Sequence, residues 1–78
     1  MITFQDVMQR IRQSIMAQQK KEKILDRDIA QALELDPQYF AVIKRRNKIP
    51  YESIARFCQK HRISMNWVLM NQKPPYLT

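Results

Sequence analysis

The sequence predicts an all-α protein, a compact domain of five helices. Three observations carry that expectation. The 78 residues include no glycine, on which hairpin turns lean heavily, while Ala, Leu, Ile, Met, Gln, Lys and Arg abound. Apolar residues recur at three- and four-residue spacing along much of the chain. Side chains that cap helices stand ahead of several of these apolar segments.

The first helix is predicted over about residues 3–18. Thr3 and Asp6 form a T-x-x-D start, with the acid near the positive end of the helix dipole, and Phe4, Val7, Met8, Ile11 and Ile15 form one apolar face. QQKKEK, residues 18–23, has no apolar residue and reads as an exposed connection. A second helix starts near Leu25–Asp26, with acids Asp26 and Asp28 in its first turn and Ile29, Ala30 and Leu33 inward. Asp36-Pro37 starts a third, because Asp accepts free backbone N–H groups and Pro is tolerated at the first helical position. That helix carries Phe40 and Ile43 inward and ends in a basic run before Pro50. A fourth runs from Pro50 to about Lys60 with Ile54, Phe57 and Cys58 on its apolar side, and Ser64 caps a fifth, SMNWVLM, that buries Trp67. Residues 1–72 form the domain, and 73–78, KPPYLT, read as a linker or tail.

Composition narrows the function. The formal net charge is +7 and the pI about 10, which favours a polyanionic partner. One cysteine, Cys58, excludes an internal disulfide and a cysteine zinc cluster, so a reducing cytoplasmic setting is expected. No apolar run approaches the roughly 20 residues of a membrane span, and MITFQDVM lacks the shape of a signal peptide. Cys58 reads as a small buried hydrophobe. Ser53, Cys58 and His61 have no accompanying oriented acid or oxyanion site, so no enzyme, cofactor or metal is expected.

The informative unit is DRDIAQALELDPQYFAVIKRR, residues 26–46. Only about three residues separate its two helices, which forces a steep crossing of the helix-turn-helix kind, and Ala30 is small enough for the contact. With Phe40 and Ile43 inward, Gln38, Ala41, Val42 and Arg45 fall on the opposite face. Such a face suits the major groove: Gln38 can pair with adenine, Ala41 and Val42 can pack on thymine methyls, and Arg45 can reach guanine or a phosphate. Lys44, Arg46, Asn47 and Lys48 are placed for phosphates beside the groove, and Arg27 for a phosphate at the start of the second helix. A solvated helix end also explains a basic run, since cations there suit the dipole. Tyr39 and Tyr51 fit either the core edge or phosphate contact.

In DIAQAL, FAVIKRRNKIPYESIARFC and ISMNWVL the chain resembles the N-terminal DNA-binding domain of phage CI-type repressors, over about residues 25–72. The resemblance implies a lambda-repressor-like helix-turn-helix fold that binds double-stranded operator DNA as a homodimer. In that family a linker commonly leads to a C-terminal dimerisation or peptidase domain; the 78 residues stop where that linker would begin. Two positions depart from the family pattern. Glu34 stands where the family usually has a turn glycine, so either it accepts a left-handed conformation costing roughly 1–2 kcal/mol or the turn differs in shape. Asn71 replaces a helix-ending glycine, a milder change.

Two copies about 34 Å apart on a two-fold operator are expected, and Val68, Leu69, Met70, Tyr76 and Leu77 are candidates for self-association. A rival of another class is a helical protein-interaction module, an antirepressor or adaptor, in which Ala41 and Val42 form an interface patch. Attachment to an acidic membrane is disfavoured, because the basic residues do not flank a large apolar face.

Overall fold

The computed structural model describes residues 1–77. Five helices follow in the order α1 (Phe4–Gln19), α2 (Asp26–Ala32), α3 (Pro37–Arg45), α4 (Tyr51–His61) and α5 (Met65–Met70). The fold is all-helical, with a radius of gyration of 11.6 Å. Among the described residues no helix is long and apolar enough to cross a membrane.

The expected caps form. Thr3 Oγ1 accepts from the Asp6 N–H at 3.2 Å, and Ser64 Oγ accepts from the Trp67 N–H at 3.3 Å. Asp36 Oδ1 accepts from the N–H groups of Gln38 (2.7 Å) and Tyr39 (3.3 Å), satisfying two of the donors a helix start leaves free. At α2 the flanking residue is Leu25, which has no side-chain acceptor. There Asp28 Oδ2 reaches back to the Leu25 N–H at 2.9 Å, the return half of a capping box.

The helix ends show how a chain without glycine turns corners. Lys20, Glu34, Asn47, Arg62 and Asn71 all adopt left-handed conformations, with φ between 53° and 58°. After α2, the Glu34 N–H bonds to the Gln31 carbonyl at 3.0 Å and the Leu35 N–H to the Ala30 carbonyl at 2.8 Å. That bonding pair defines a Schellman motif, which requires a left-handed residue where Glu34 stands. Of the two possibilities open in the sequence, Glu34 accepts the strained conformation. The same pattern closes α3, where Asn47 N–H bonds to Lys44 O and Lys48 N–H to Ile43 O. Asn71 likewise caps α5 in the left-handed region, as expected.

The core gathers Phe4, Val7, Ile11 and Ile15 of α1, Ile29, Ala30 and Leu33 of α2, Phe40 and Ile43 of α3, Ile54, Phe57 and Cys58 of α4, and Trp67 and Val68 of α5. Each large aliphatic or aromatic side chain fully buried there contributes about 1.5–3 kcal/mol. α1 packs on α2 and α5, and α2 packs on α3. Arg10 on α1 ties in α5 directly. Its Nε donates to the Val68 carbonyl at 2.7 Å and its Nη2 to the Leu69 carbonyl at 3.3 Å, acceptors that a helix end leaves without partners.

One expectation at the C-terminal end changes, and the tail gains a description. Residues 75–77 dock on the domain: Ser64 N–H bonds to Pro75 O and Leu77 N–H to Arg62 O, both at 2.8 Å, and Ile63 pairs with Tyr76 as a single antiparallel bridge. Thr78 lies outside the described residues. Val68 is fully buried where α5 meets α1, so it is core and not an association surface, whereas Met70, Tyr76 and Leu77 are exposed.

Replacing Glu34 with glycine should remove the left-handed strain at a side chain that forms no ion pair among the described residues. The expected gain is roughly 1 kcal/mol, a rise of about 4–8 °C in thermal midpoint for a domain of this size. A lowered midpoint contradicts the assignment of strain to this residue.

Candidate nucleic-acid interface

α3 is held by its inner face and by both ends. The Phe40 ring meets the Phe4 ring at a centroid distance of 5.4 Å, tilted by 58°. Phe40 and Ile43 are buried. At the N-terminal end Asp36 caps the helix, and the bonds around Glu34 and Leu35 set its approach to α2. At the C-terminal end Asn47 Oδ1 accepts from the Phe4 backbone N–H at 2.8 Å, joining the end of α3 to the start of α1.

The residues expected to read bases share the remaining face. Gln38, Ala41 and Arg45 are exposed, while Val42 is half-buried, so part of the methyl surface the sequence leaves free is covered. Arg27, Arg46 and Lys48 are exposed around this face. With Pro37, Ala41 and Arg45, Arg27 lines a shallow apolar groove between α2 and α3. Among the described residues Arg27, Arg45, Arg46 and Lys48 form no ion pair, so their charges stand uncompensated at short range.

Two of the expected phosphate-contacting residues have other work. Asn47 is a left-handed cap whose side-chain oxygen is already occupied by Phe4. Lys44 Nζ lies 2.6 Å from Asp26 Oδ2, and Arg12 Nη2 lies 3.1 Å from Asp26 Oδ1, so one carboxylate bridges cations from α1 and α3. In the sequence Asp26 shows only as a first-turn acid suited to the dipole. Its partners stand 14 and 18 residues away, and no spacing rule connects them.

Tyr39 and Tyr51 are exposed, which places them outside the core and at the starts of α3 and α4. Cys58 is buried, and burial pushes its thiol up to about 11, so it stays protonated and unreactive at neutral pH. His61 packs its ring on Phe57, 4.7 Å between centroids; burial, then the neighbouring Lys60 charge, lowers its pKa below the usual value. Among the described residues no three His, Cys, Asp or Glu side chains gather as a metal site.

Comparison with known proteins adds no relative: no family model matches the chain, and neither does any curated protein or solved structure.

Asn47→Ala should cost about 1–3 kcal/mol in chemical unfolding, since it leaves the Phe4 N–H without its acceptor and puts a poorer residue in the left-handed position. Unchanged stability contradicts the structural role given to Asn47.

Proposed function

We propose that the chain is a sequence-specific DNA-binding transcriptional regulator of the phage or prophage CI-repressor type, binding operator DNA as a dimer. In this reading α2, the turn at Leu33–Asp36 and α3 form a helix-turn-helix, and α3 lies in the major groove. The observation that carries the proposal is the outer face of α3. Gln38, Ala41 and Arg45 are exposed on a helix whose other side is locked into the core, and beside it stand Arg27, Arg46 and Lys48, which form no ion pair among the described residues. A rigid helix with polar and methyl groups outward and cations at its margins suits base edges flanked by phosphates. The net charge of +7 supports the same polyanionic partner.

Phosphate contacts supply most of the affinity in such a module, and contacts to base edges supply the choice of sequence. One copy offers a single short reading helix, so two copies on a two-fold site give useful affinity. Met70, Tyr76 and Leu77 are the exposed apolar residues available to a dimer contact at the α5 end.

Titration of a fluorescent duplex of about 20 base pairs at several salt concentrations tests the reading, with a log–log slope near −0.9 per phosphate neutralised. Absence of binding at the lowest salt contradicts it and favours the protein-interaction module. Gln38→Ala should relax choice at one base pair and weaken the best site by about 1–3 kcal/mol. Lys48→Ala should weaken all sequences alike and lower the salt slope by about one. Equal behaviour of the two variants contradicts the separation of reading from anchoring.

A further inference from the structure

We infer that Asp26 is a specificity-determining residue that withholds Lys44 from the DNA backbone. The inference rests on the DNA-binding reading above and assigns a role within it. Asp26 opens α2 and takes Lys44 Nζ on one oxygen at 2.6 Å and Arg12 Nη2 on the other at 3.1 Å. The three charges sum to +1, and the one nearest the proposed DNA face, Lys44, points its ammonium back at a carboxylate. Asp26 and Lys44 both border the groove that also contains Arg27, Ala41 and Arg45. A carboxylate there repels an approaching phosphate and also occupies the cation that would attract it.

The consequence falls on non-specific binding. A lysine free to swing onto any phosphate adds affinity for every sequence and discriminates between none. Among the described residues, holding Lys44 on Asp26 leaves Arg27, Arg45, Arg46 and Lys48 as cations around this face without an ion pair, and raises the relative weight of the base contacts from Gln38, Ala41 and Val42. In this proposal Lys44 acts in restraint, where the sequence alone suggests an anchor to phosphate.

Asp26→Asn separates the two halves of the bridge. Asparagine keeps a carbonyl oxygen that can accept from Arg12, while the uncharged amide has no attraction for the Lys44 ammonium. Wild type, D26N and the double variant D26N/K44A are titrated against a mixed-sequence duplex of about 20 base pairs between about 50 and 200 mM salt. D26N should bind roughly five- to tenfold tighter near 0.1 M salt, with a salt slope steeper by about one. The double variant should lose that gain. Thermal melts confirm that each variant is folded at the titration temperature, and a change in packing alone does not steepen a salt slope.

If D26N binds with the slope and affinity of wild type, or if the double variant keeps the gain, the role of Asp26 is overturned. If neither wild type nor D26N binds at the lowest salt, the DNA reading fails and this inference fails with it. The two failures are therefore distinct.

Discussion

The aim of α3 depends on a left-handed residue at the corner with α2. Glu34 at φ 58° allows the Leu35 N–H to reach back to the Ala30 carbonyl and the Glu34 N–H to reach Gln31, which closes α2 and redirects the chain within four residues. Without that turn, Asp36 does not arrive where it can cap α3, and Phe40 does not meet Phe4. The protein holds the strain because burial around it is extensive: Ile29, Ala30, Leu33, Phe40 and Ile43 all sit at or below 2% exposure. Strain of roughly 1–2 kcal/mol is small beside the burial of those side chains.

With its inner face buried and both ends tied, α3 has little freedom to reorient. Asn47 fastens its C-terminal end to the start of α1, and the Asp26 bridge joins α1, α2 and α3 through one carboxylate. Such restraint matters for recognition, since contacts to base edges discriminate only when the side chains arrive in fixed register. The proposed readout therefore depends on core packing as much as on the exposed residues themselves.

Much of this was legible in the sequence because its signals are local. Thr3, Asp36 and Ser64 cap where their positions suggest, and three- and four-residue spacing identifies the buried faces of α1, α3 and α4. The boundary between Gln38, Ala41 and Arg45 outward and Phe40 and Ile43 inward follows from helical period alone. What escaped is tertiary. Asn47 meets Phe4 across 43 residues and Arg10 meets Val68 across 58, and neither pairing leaves a local trace. The docking of residues 75–77 on Arg62–Ser64 is a backbone pairing, which a Pro-Pro sequence obscures. Val68 looked available because α5 is short and apolar on several sides, and only the packing of α1 shows which side is covered.

The most direct test of the central claim, that the outer face of α3 reads duplex DNA, is selection of bound sites from a pool of random duplexes. The expected result is a recovered consensus with two-fold symmetry and half-sites about one helical turn, 34 Å, apart. A recovered pool no different in sequence from the input contradicts it.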